Sequence, residues 1–267
     1  MNRTKDNDIK QGQGEIISMG GDILKNISDN SELQVDYVAI CVYTLELLES
    51  ILGKKYDFPV NIEKLVENIG LKITYQPLNT ENDGKRIHRI AGKLIKRRNR
   101  ITNEIVSSIL IDEQATRKEQ RYALAHELAH FLIHYDDAHF LSEFRVMPML
   151  FKDMEEMVAD VFAIFLLIPI PIFLKEFKTY IGVGGDVPIK TSEWLQYLST
   201  IASVPYEDVA IGYQNIRYVS AIIYKISKNM GLYKGYEDNQ EFRKIITKQV
   251  KAVEDLFGDE EIKKLFC

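Results

Sequence analysis

Residues His126-Glu127-Leu128-Ala129-His130 constrain this chain more than anything else in it. They stand inside Ala123-Leu124-Ala125-His126-Glu127-Leu128-Ala129-His130-Phe131-Leu132-Ile133-His134, a segment that reads as a helix. Residues four apart on a helix share one face, about 6 Å apart along the axis at roughly 1.5 Å per residue. Both imidazoles can then grip one zinc ion, each nitrogen at roughly 2.0–2.1 Å from it. Glu127 projects near the position such a site leaves open, where it can serve as a general base toward water. A pattern with only three fixed positions also arises by chance, so its surroundings matter. Leu124, Leu128, Phe131 and Leu132 recur at helical spacing and can face a core. Burying two histidines and a glutamate on such a helix is costly unless a metal satisfies them.

A catalytic zinc takes three protein ligands and keeps one position open. The longer H-E-x-x-H-x-x-G-x-x-H pattern is excluded, because Phe131 to Asp136 holds neither the glycine nor the distal histidine. Thirty residues beyond His126, Met154-Glu155-Glu156-Met157-Val158-Ala159-Asp160-Val161-Phe162-Ala163 reads as a second helix. Glu156 and Asp160 share a face there. One can bind the ion while the other holds a ligand histidine by its second ring nitrogen. Glu155 competes, but its face continues into Val158, Ala159 and Phe162, so Glu156 is preferred. Asp136, Asp137 and His139 follow the motif helix closely and could ligate if the chain turned back. His134 has the right face but poor reach, and reads better as a helix C-terminal residue near free carbonyls. His88 is isolated on a basic strand and reads as exposed.

Together these residues resemble the ImmA/IrrE family of bacterial metallopeptidases. That family shows R-x-x-x-A-H-E-L-x-H-x-x-x-H followed by E-x-x-A-N-x-F-A-x-x-L-L-x-P. This chain carries the first pattern from Arg121 to His134 and the second from Glu156 to Pro169. The stretch from Pro59 through Gly70 to Tyr75 is similar to the family's entry helix and first strand, and the resemblance runs from about Tyr37 to Ser203. It implies an α+β, zincin-like fold: a small, mostly antiparallel sheet with active-site helices, here followed by a helical C-terminal region. It implies zinc held by His126, His130 and Glu156, with Glu127 as general base and Asp160 behind a ligand histidine. It also implies a substrate, because family members cleave a helix-turn-helix repressor and so relieve repression of mobile elements, phage or stress genes. Two departures stand out. Asp160 replaces the usual asparagine, which costs little because either side chain accepts a hydrogen bond from a histidine, and the loop from Tyr135 to Lys152 is long. For the oxyanion of the reaction the candidates are His139, Tyr135 and His88.

The rest of the chain suits an intracellular enzyme. Two cysteines, Cys41 and Cys267, make no disulfide framework, which points to a reducing cytoplasm. Met1 to Glu15 lacks the pattern of a signal peptide. The longest uncharged apolar run, Val161 to Leu174, spans 14 residues with two prolines. A membrane helix needs about 20, so this run reads as the buried end of the Glu156 helix, with no membrane as partner.

The formal charge of −5 hides an uneven distribution. Gly84 to Asn103 holds eight Lys or Arg and no acid, leaving 26 basic against 39 acidic residues elsewhere. The block reads as an exposed hairpin, Arg89 to Lys96 and Ile105 to Ile111 about a turn at Arg97 to Arg100. Basic edge strands deter unwanted pairing, or can dock an acidic segment of a protein substrate.

Three divisions are expected: a mobile polar tail at 1–34, a zincin-like domain at 35–181 and a helical subdomain at 182–267. Helices are predicted over Val35 to Leu52, from the cap Asn61 to Gly70, over Ala115 to His134 and over Lys152 to Leu167, where Pro169 and Pro171 break the last. Leu71 to Leu78 is predicted as a strand. Further helices are expected at Thr191 to Ala202, Pro205 to Ile216, Tyr218 to Leu232 and Asn239 to Leu265. The joint Ser203-Val204-Pro205 resembles a helix-turn-helix, but Glu207, Asp208 and Gln214 on its second helix suit DNA poorly. Direct nucleic-acid binding is therefore not expected. A non-catalytic scaffold that binds a regulator is the other alternative, and the intact Glu127 speaks against it.

Overall fold

The computed structural model describes residues 37–53, 55–78, 81–82, 87–88, 91–98, 105–133, 148–184 and 190–227. The expected tail at 1–34, the loop residues 134–147 and the expected helix at 239–265 lie outside the described residues.

The chain opens with α1 (Tyr37–Leu52), which buries Ile40, Cys41, Tyr43, Leu45, Leu47 and Leu48 and so needs cover on several sides. Asn61 starts α2 (Ile62–Asn68) by accepting the Lys64 N–H with its side chain at 3.0 Å. Gly70 ends that turn at φ +89°, a left-handed conformation that favours glycine, and turns the chain into β1 (Lys72–Gln76). A two-stranded ribbon follows, β2 (Glu81–Asn82) with β3 (Ile87–His88). The basic block then forms β4 (Gly92–Arg98), antiparallel to β5 (Ile105–Asp112), with Gly92 opposite Ile111 and Arg98 opposite Ile105. The expected turn at Arg97 to Arg100 begins later than predicted, because Arg97 and Arg98 still pair with Val106 and Ile105.

The sheet order is β1-β5-β4, so β5 is central and buries Ile109 and Ile111 completely. One pairing refines the expected mostly antiparallel sheet: β1 runs parallel to β5, Lys72 opposite Ser108 and Gln76 opposite Asp112. A parallel pair needs a long connection, and β2, β3 and β4 supply it.

Helix α3 (Arg117–Ile133) lies against β4 and β5 and packs on α4 (Pro148–Leu167), which also packs on α1. From Ala159 to Ile168 the chain buries nearly every side chain except Asp160. The apolar run from Val161 to Leu174 is not one helix. It bends by 55° into α5 (Ile170–Gly184). Pro169 and Pro171 break the first helix as expected and also open the next, since a first turn needs no N–H from proline. No single described helix is long and apolar enough to cross a membrane.

Helix α6 (Thr191–Ala202) ends at Ser203 in the left-handed region, φ 55°, and α7 (Tyr206–Ser227) follows. The predicted break between Ile216 and Tyr218 does not occur. No glycine or proline lies between Tyr213 and Ser227, and Ile216 and Val219, three apart, are both fully buried on one face. Trp194, Leu198, Val209 and Ile216 belong to the same buried cluster as Leu128 and Phe162. The α6–α7 region therefore shares the core of the residues before it.

Helices α7 and α4 meet almost at the backbone. A Cβ on Gly212 would sit 2.6 Å from Cγ2 of Ile164, which is itself buried. Ala normally gains about 1 kcal/mol over Gly within a helix, but overpacking here costs about 1–3 kcal/mol. Gly212→Ala is expected to lower the thermal unfolding midpoint. A raised midpoint would show that the two helices can move apart freely.

Candidate metal centre

Helix α3 starts on a reciprocal cap. The Thr116 N–H donates to Glu119 Oε2 at 2.6 Å, and the Glu119 N–H donates to Thr116 Oγ1 at 3.3 Å. The helix buries Leu124, Ala125, Leu128, Ala129 and Leu132 and leaves Tyr122, His126 and His130 partly open on another face. Arg121 fastens it from the other side, donating from Nη2 to Val60 O at 2.8 Å and from Nε to Ser203 O at 3.3 Å.

Helix α4 brings Glu156 and Asp160 to the histidines. His126 Nε2 lies 3.0 Å from His130 Nε2 and 3.1 Å from Glu156 Oε2, and His130 Nε2 lies 3.7 Å from Glu156 Oε1. The other ring nitrogen of His126, Nδ1, lies 2.9 Å from Asp160 Oδ1. A carboxylate only accepts, so Nδ1 carries a proton toward Asp160. Donors about 2.0–2.1 Å from a tetrahedral ion stand about 3.3 Å apart, and these three separations bracket that value. Among the described residues, His126, His130 and Glu156 are the group that could hold a metal ion, their donor atoms lying within 4.8 Å of one another.

Glu127 faces the sheet. Its Oε2 accepts the Leu94 N–H of β4 at 2.7 Å. This close approach favours glycine at the start of that strand, where a Cβ on Gly92 would meet Glu127 Cγ at 3.0 Å and Ala123 Cβ at 3.1 Å.

The charges reinforce one another. Burial works against a charged His126 ring, but hydrogen bonds to Asp160 and Glu156 outweigh it and push its pKa up to about 9. Hydrogen bonds from His126 and His130 hold the Glu156 carboxyl well below the usual range. Burial pushes Glu127 up, against the pull of both histidines and the Leu94 N–H. Helix α7 contributes Asp208, which burial and then the charges of Asp160 and Glu207 push up to about 6.

With its pKa raised, the His126 ring is expected to give up a proton when it takes a metal. Metal uptake at pH 7 is expected to release about one proton per ion, with affinity weakening as pH falls from 9. Calorimetry in buffers of different ionisation enthalpy reads this directly. Uptake without proton release would mean that the His126 ring is already neutral.

Residues 66–198 match the IrrE N-terminal-like domain, a family of peptidases. Through these residues the chain belongs to the ImmA/IrrE metallopeptidases. No curated protein matches the chain. The matched span covers α3 and α4 entirely, and so every member of the cluster described above. Of the other candidates, His134, Tyr135, Asp136, Asp137 and His139 fall outside the described residues, and His88 lies on β3 opposite Glu81.

Three contributors were not singled out from the sequence. Tyr122 precedes His126 by one turn, a spacing that would have flagged it; its O–H donates to Asp160 Oδ1 at 3.0 Å. Gly92 and the Leu94 N–H carry no side-chain signature at all. A backbone donor has no residue type to read.

Proposed function

We propose that this protein is a zinc endopeptidase that cuts a helix-turn-helix transcriptional repressor, relieving repression of a mobile element, a phage or a stress response. The observation that carries the reading is the convergence of His126, His130 and Glu156 from two helices, with Glu127 on the same helix as the histidines. Bound zinc would supply Lewis acidity, polarising the scissile carbonyl and lowering the pKa of water to about 7. The chain's own residues do the rest. Asp160 holds His126 by Nδ1 with Nε2 toward His130 and Glu156, where the three would hold zinc. Glu127 takes a proton from the attacking water on one carboxylate oxygen and delivers it to the leaving amine, while the Leu94 N–H steadies that carboxylate.

The family resemblance supports the substrate class, and the cysteine usage with the buried, free Cys41 supports a cytoplasmic setting. The first test is elemental analysis of wild type and Glu156→Ala, followed by incubation of the zinc-loaded protein with the repressor encoded beside its gene. One zinc per chain, lost in the variant, and two repressor fragments are expected. Wild type that takes no zinc would overturn the metal reading. A zinc-loaded protein that binds the repressor and leaves it whole would mean a binding scaffold.

A further inference from the structure

Asp160 Oδ1 is shared by two donors. His126 Nδ1–H reaches it at 2.9 Å and Tyr122 O–H at 3.0 Å. The acceptor sits on α4 with its side chain about half exposed, at 53%, so its packing alone does little to select a rotamer. Tyr122 and His126 are successive residues of one face of α3, their rings 6.4 Å apart and inclined at 38°. Burial and the adjacent Asp160 push the tyrosine phenol far above its ordinary range, so it stays a donor. Two donors from one helix therefore converge on one oxygen of the next.

From this juxtaposition we propose that Tyr122 is a positioning residue for the metal ligand His126, acting through Asp160. The phenol anchors the carboxylate, and the anchored carboxylate holds the His126 ring with Nδ1 protonated and Nε2 toward His130 and Glu156. Without the phenol, Asp160 is held at that oxygen by His126 alone and is free to rotate toward solvent. The inference rests on the ligand set proposed above. It goes beyond that set in assigning metal affinity to a tyrosine that touches no metal.

The test is zinc affinity by competition with a chromophoric chelator at fixed pH, for wild type, Tyr122→Phe, Asp160→Ala and the double variant. Loss of an outer hydrogen-bonding partner typically weakens metal binding 10- to 100-fold, so Tyr122→Phe is expected to weaken zinc about tenfold. In the Asp160→Ala background the same change is expected to do nothing, because the residue it acts through is gone. Equal weakening in both backgrounds, or none in wild type, overturns the proposal. Such a result beside zinc-loaded wild type leaves the ligand set standing, whereas wild type without zinc overturns both.

A second readout covers a background too weak to measure. The ring N–H proton of His126 in the zinc-loaded protein is expected to exchange with water faster in Tyr122→Phe than in wild type. An unchanged exchange rate overturns the proposal by itself.

Discussion

Glu127→Gln is expected to lower peptide hydrolysis by about 10²- to 10⁴-fold while zinc and substrate binding persist. Glutamine keeps the shape of the side chain, and its amide oxygen can still accept the Leu94 N–H that glutamate accepts at 2.7 Å. What it cannot do is take a proton from water near neutral pH. The three proposed metal ligands are untouched by the change, so the zinc content should stay at that of wild type. A variant that retains both zinc and cleavage within tenfold of wild type would remove Glu127 from the proposed role. One that loses zinc would show that Glu127 shapes the ligand cage rather than acting on water.

The second large effect is on stability. Arg121→Met is expected to destabilise the protein by about 2–5 kcal/mol, because two backbone carbonyls each lose a charged donor. Arg121 is 6% exposed. Its guanidinium satisfies the carbonyls of Val60 and Ser203 at once, with Glu63 Oε2 3.9 Å from Nη1. Those carbonyls lie before α2 and in the α6–α7 joint, far apart in sequence and both brought to α3. Methionine fills much of the volume but leaves both oxygens without this donor, which is the costly half of losing a hydrogen bond. The loss would be a large share of the 5–15 kcal/mol typical of a folded domain. Lysine should recover little, because one ammonium cannot reproduce a planar fork aimed at two acceptors. Urea unfolding of the three proteins reads the difference. An Arg121→Met midpoint equal to that of wild type would mean that water reaches these carbonyls readily.

The helices of the site were legible because each rests on short-range signals. Leu124, Leu128, Phe131 and Leu132 recur at helical spacing along α3, and Asn61 and Gly70 bracket α2 with a cap and a left-handed stop. One misreading came from a signal with two meanings, another from no signal at all. Pro169 and Pro171 end α4 but also suit the start of α5, so a terminator concealed an initiator. The supposed break before Tyr218 had no terminator behind it, and α7 runs through.

What the sequence by itself determined is the spacing within each helix. His126 and His130 share a face, as do Glu156 and Asp160, because 3.6 residues make a turn whatever the surroundings. Only the tertiary structure decided which faces meet. Packing of α3 on α4 puts Glu156 Oε2 3.1 Å from His126, Asp160 on its other nitrogen and Tyr122 behind Asp160. The sheet decided where Glu127 rests, through a backbone N–H beside a glycine. Periodicity is a local property of the chain. The match between two helices 30 residues apart, or between a side chain and a strand's backbone, comes from burial summed over the whole core, and no single segment records it.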